Sequence, residues 1–104
     1  MSAERLVARV MHFTGTEEQI EHVLSVARED ILPWTREETG FRGLLFLVDD
    51  DRLLVITLWT SEEALEAHEA AAQEFRTLVI EATGIELVTS EVYKVSALEL
   101  HPAM

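Results

Sequence analysis

Cysteine is missing from all 104 residues. That excludes disulfides, thiolate metal sites, iron–sulfur clusters and cysteine nucleophiles. Positive charge is scarce: eight Lys+Arg stand against 20 Asp+Glu, a net charge of −12. Such a surface repels phosphate backbones and anionic lipid, so neither nucleic acid nor a membrane surface is an expected partner. No apolar run approaches the roughly 18 residues of a membrane helix, and "MSAERLVARV" has no apolar stretch followed by a small-residue cleavage site. The expected location is the cytoplasm. The four glycines are scattered and form no dinucleotide fingerprint.

What is present is an ordinary globular composition, 48% hydrophobic and 27% charged. It fits one domain over residues 1–104, with a loose tail from about residue 97. "RLVARVMHF" (5–13) is β-rich. In "TGTEEQ" Thr16 and Gln19 form a capping box, and Ile20, Val23, Leu24, Ala27 and Ile31 follow at helical spacing, with Pro33 expected to end the helix. "LLFLV" (44–48) and "LLVITLW" (53–59) flank "DDDR" and read as a hairpin. Thr60 and Glu63 read as a second capping box, opening a helix that Gly84 closes. "ELVTSEVYKV" (86–95) is the last strand. The order β-α-β-β-α-β predicts an α+β, ferredoxin-like fold, a four-stranded antiparallel sheet with both helices on one face.

Residues alternate sides along a strand. Leu53, Val55, Thr57 and Trp59 oppose Leu54, Ile56 and Leu58, and Leu44, Phe46 and Val48 oppose Leu45 and Leu47. Both faces are therefore apolar, while two helices cover only one. The second face needs another cover, and a second copy of the chain is the expected one: a homodimer formed sheet to sheet.

Few residues stand out for chemistry. Leu65, His68, Ala72, Phe75 and Val79 recur at three- and four-residue spacing, which puts His68 on the buried stripe of the second helix. It is either a satisfied core histidine or a general base among small alanines. Trp59 is either core or the flat wall of an aromatic site. Trp34, after Pro33, caps the same cavity or makes a dimer contact. His12 shares a face with Leu6, Ala8 and Val10, and joins His68 only if that is the helix side. Tyr93, the single tyrosine, is expected to point with Leu87 and Val95. Two histidines with no third ligand make no metal site, and Asp49–Asp51 lack the alternation and glycine of a calcium loop.

"GFRGLLFLVDDDRLLVITLWTSEEALEAH" with "EVYKV" resembles the antibiotic biosynthesis monooxygenase group of the dimeric α+β barrel superfamily. The carriers are the glycine before the second strand, the acidic hairpin, the closing Trp, the Ser-Glu-Glu-Ala helix start and His68. The resemblance implies a homodimeric barrel with a pocket between helices and sheet in each subunit. It also implies oxidation of a small aromatic or polyketide-type substrate by O₂, without metal or flavin. On that reading His68 is the base, Trp59 and Phe75 hold the ring with His12 and Trp34 nearby, and Tyr93 donates to a carbonyl. The quinone-forming members use an Asn, a Trp and a Tyr, and the haem-degrading ones an Asn, a Trp and a His. This chain has no asparagine, so neither set carries over complete, and haem degradation is not expected. The alternatives are a ligand-binding protein without chemistry on the same scaffold, or an isomerase or lyase.

Overall fold

The structure, a computed structural model, describes residues 5–99. Strands β1 (Val7–Thr14), β2 (Phe41–Asp49), β3 (Arg52–Trp59) and β4 (Glu86–Lys94) form one antiparallel sheet in the order β2-β3-β1-β4. The helices α1 (Glu17–Val26), α2 (Leu32–Arg36) and α3 (Glu62–Thr83) lie on one face of it. A π-helical turn, Ala27–Ile31, joins α1 to α2 without a break, so the expected pair of helices is present. Ala97–Glu99 have no regular structure. The rest of the expected loose tail, with His101, lies outside the described residues.

The start of α1 and the end of α3 obey local chemistry. The Thr16 hydroxyl accepts from the Gln19 N–H (3.1 Å), and the Gln19 side chain accepts from the Thr16 N–H (2.8 Å). Gly84, at φ 80°, closes α3 in the left-handed conformation and donates to Ile80. Two expectations fail. Pro33 does not end the first helix. The Leu32 N–H reaches back five residues to Ala27, and this wider turn relieves the clash between a proline ring and the carbonyl before it. Pro33 then stands in the first turn of α2, where no donor is required. The cap of α3 is Ser61, not Thr60. The Thr60 N–H is held by Gly40 O (2.9 Å) as an extension of the sheet, and the Ser61 hydroxyl accepts from Ala64 instead (3.1 Å).

The central ladder, β1 with β3, is unbroken over eight pairs from Val7–Trp59 to Thr14–Arg52. Each edge strand slips once. Arg42 is passed over between Phe41 and Gly43 in β2, and Val88 between Leu87 and Thr89 in β4. The core lies between the helices and the sheet face carrying Val7, Met11, Phe13, Leu53, Val55 and Trp59. At the hairpin, Asp50 takes φ 53° and Arg52 pairs with Asp49. The loop is tied to the end of β1, where the Thr14 hydroxyl donates to Asp51 O (3.0 Å).

Candidate functional site

Between α3, α2 and the sheet lies an apolar hollow with about 750 Å³ of atom-free space, counting its open mouth. The α3 stripe supplies one wall: Leu65, His68, Ala72, Phe75 and Val79 all line it. β3 supplies Val55, Thr57 and Trp59, and α2 supplies Trp34 and Thr35.

His68 is 7% exposed. Its ring is held between two indoles, with centroids 4.7 Å from Trp34 and 4.7 Å from Trp59. Trp34 also stacks near Phe75 at 5.5 Å, and Phe41 meets Trp59 edge-on at 5.7 Å. The Trp59 Nε1–H donates to the Thr57 hydroxyl (2.9 Å), which fixes that indole. His68 Nδ1 lies 2.8 Å from Glu38 Oε1. A carboxylate at that nitrogen accepts its N–H, which leaves Nε2 as the basic nitrogen of the neutral ring. When the ring takes a proton, the positive charge meets Glu38 on one edge and indole faces on both sides.

Glu38 comes from the turn between α2 and β2, and the backbone explains how it arrives. Gly40 has φ 87°, and a Cβ there would fall 2.5 Å from Ala64 Cβ and 2.8 Å from Thr60 Oγ1. Only glycine allows this turn to lie so close to the start of α3.

A second polar group lies along the same hollow. Arg9 on β1 and Arg76 on α3 flank Glu69, at 3.2 Å and 3.5 Å from its two oxygens. Arg9 also donates to the Ser90 hydroxyl (2.8 Å). The Arg9–Glu69 contact is a close ion pair without the alignment of a hydrogen bond, and Arg9 Nε and Glu69 Oε1 are buried with no hydrogen-bond partner among the described residues.

Four of the expected site residues, His68, Trp59, Phe75 and Trp34, therefore converge on one hollow. Two do not. His12 lies on the sheet face away from the helices, 3.9 Å from Glu91, because its face is the one shared with Ala8 and Val10. Tyr93 is on that far face too and is 51% exposed. It pairs with Ala8, while Leu87 pairs with Phe13 on the helix side. The slip at Val88 reverses the alternation that would have kept Tyr93 and Leu87 together. The Glu91 carboxylate beside Tyr93 raises the phenol's pKa by favouring the protonated form.

Glu38, Arg9, Glu69 and Arg76 are the residues that sequence reasoning missed. Arg9 had a signal, since it falls on the inward alternation Val7, Arg9, Met11, Phe13. Glu69 and Arg76 had a weaker one, being seven residues apart and so on one side of a helix. Among the described residues, no helix is long and apolar enough to cross a membrane.

The sequence model of antibiotic biosynthesis monooxygenases matches residues 6–79, from the approach to β1 through most of α3. No curated protein sequence is significantly similar to the chain. Solved structures are. The ActVA-Orf6 monooxygenase of Streptomyces coelicolor, in complex with nanaomycin D, is 16% identical with a TM-score of 0.69, over 96% of this chain and 93% of that one. MupZ from Pseudomonas fluorescens is 16% identical with a TM-score of 0.73, over 85% of this chain and 70% of that one. SnoaB, a cofactor-independent oxygenase from Streptomyces nogalater, is 22% identical with a TM-score of 0.64, over 95% and 99%. At such identities these likenesses speak for the fold, and the sequence match speaks for the lineage: the chain belongs to the antibiotic biosynthesis monooxygenase family.

Proposed function

We propose that this protein is a monooxygenase that oxidises a small aromatic or polyketide-type substrate with O₂, using a side-chain base and no metal or flavin. The observation that carries the reading is His68, set between two indoles on the wall of an apolar hollow with Glu38 at its Nδ1. Family membership and the likeness to SnoaB support it. Trp34, Trp59 and Phe75 hold the ring by stacking. His68 Nε2 takes a proton from a phenol or from an activated CH₂ of an anthrone-like ring. The carbanion gives one electron to O₂, and the radical and superoxide join as a C–O–O⁻ peroxide. The His68 imidazolium returns its proton to the peroxide. The neutral imidazole then removes the second C–H proton as the O–O bond breaks, leaving a carbonyl on carbon and hydroxide, which takes that proton and departs as water. The balance is CH₂ + O₂ → C=O + H₂O; for a phenol the O–H proton and the single C–H proton of the attacked ring carbon are the two that leave, and the product is a quinone with one water. Tyr93 and His12, on the far face, have no part in these steps.

The far face belongs to the same proposal in another way. Leu45, Leu47, Leu54, Ile56 and Leu58 lie on it, and we read it as the dimer surface, covered by a second copy of the chain. Scattering that gave a stable monomer at micromolar concentration would remove this reading.

Oxygen uptake with a panel of reduced anthrones and naphthols, corrected for autoxidation, tests the chemistry. Turnover of at least one compound is expected, with a loss of about a hundredfold or more in His68→Ala. Uptake unchanged in His68→Ala overturns the base. One observation favours a second reading: the chain has no asparagine, where the quinone-forming members it resembles use one. Tight binding of the panel with no oxygen uptake at all would identify a binding protein on this scaffold.

A further inference from the structure

The chain has only eight basic residues against 20 acidic ones, yet two of the eight line the apolar hollow. Arg9 occupies a core position of the sheet. Its inward neighbours Val7 and Met11 are buried, and it pairs across to Thr57 and Val92. A guanidinium there is costly unless an anion meets it. Arg76 projects to the same place from α3. The side chains of Arg9 and Arg76 are each 15% exposed. Glu69 serves both, so two cations share one carboxylate and the cluster keeps one positive charge. The pairing is also incomplete, with Arg9 Nε and Glu69 Oε1 both lacking a hydrogen-bond partner among the described residues. A purely structural bridge between α3 and β1 would be expected to close its hydrogen bonds.

From this arrangement we infer that Arg9, Glu69 and Arg76 form an anion subsite. The hollow takes an aromatic ligand that carries an acidic oxygen group, its ring against Trp34, Trp59 and Phe75 and its negative oxygens on Arg9 and Arg76. Glu69 is the resident counter-ion with which the ligand competes. The inference rests on reading the hollow as a ligand site, but on no part of the oxygen chemistry. It narrows the substrate class to aromatic acids or phenolates. It also gives the protein a way to attract an anion that its overall charge repels.

Calorimetric titration of the whole chain with 2-naphthoate and with methyl 2-naphthoate, at low ionic strength, tests it. The acid is expected to bind about tenfold more tightly than the ester, as charge-assisted pairing to arginine implies. Arg76→Gln should abolish that preference and leave the ester's affinity unchanged, while Arg76→Lys should keep much of it. Glu69→Gln should strengthen binding of the acid alone, because it removes the competing carboxylate. Equal binding of acid and ester to the wild type overturns the subsite, as does an acid preference that survives Arg76→Gln and Arg9→Gln alike. If neither compound binds, the hollow is not a ligand site and the proposed function falls with it. If the ester binds and the acid does not, only the subsite falls.

Discussion

The two faces of the sheet are built from the same kinds of residue and meet different fates. On the helix side Leu53 and Trp59 are 0% exposed, fixed by α1 and α3. On the other side Leu45 and Leu47, from the same hairpin, are 46% and 48% exposed. Leucine content alone does not mark a core; what matters is whether an element packs on that side. Chemistry divides the same way. The helix side pairs its polar groups inside an apolar volume, His68 with Glu38 and Arg9 with Glu69. In the single chain the far side carries His12, Glu91 and Tyr93 near solvent, where water weakens their mutual effects.

The contrast breaks most visibly by truncation. Trp59→Ala should cost about 3–5 kcal/mol and Leu53→Ala about 2–5 kcal/mol in urea unfolding, since each leaves a cavity in fixed surroundings. Next is the far face. Leu47→Lys should leave the helix-side packing and the far-ultraviolet dichroism intact, while scattering shows dimers giving way to monomers. A dimer that survives it would say that another surface joins the copies. Glu38→Gln should lower kcat by about tenfold with little change in KM, a smaller loss than removing the base, because the ring keeps its place and loses its ionised partner. The smallest effect belongs to Tyr93→Phe, which should leave turnover unchanged. As Tyr93 is the only tyrosine, its absorbance titration is unambiguous. The phenol should ionise above its ordinary value near 10, and Glu91→Gln should move it back down, because the carboxylate favours the protonated form.

Much of the fold was legible in the residues because it rests on local rules. The Thr16–Gln19 box, the period-two strands and Gly84 each act within a few positions. So was half of the site, since helical spacing places His68, Phe75 and Val79 on one stripe. Glu38 was not, because its partnership with His68 spans 30 residues and depends on a turn that Gly40 allows. Thr60 and Pro33 misled for related reasons. Each residue's local preference was overruled, one by a hydrogen bond to Gly40 and the other by a widened turn. Tyr93 was misplaced because nothing in "ELVTSEVYKV" distinguishes the passed-over Val88 from an ordinary strand valine.

Those slips in the edge strands also bear on how the gene can change. The pairing register passes over Val88 and Arg42, so loss of codon 88 or codon 42 would leave every other residue of its strand opposite the same neighbour and on the same side. Loss of a codon in the middle of β1 or β3 would turn half of an unbroken ladder over, exchanging buried for open positions. Length variation among descendants of this chain should therefore collect at the two edges of the sheet and spare its centre.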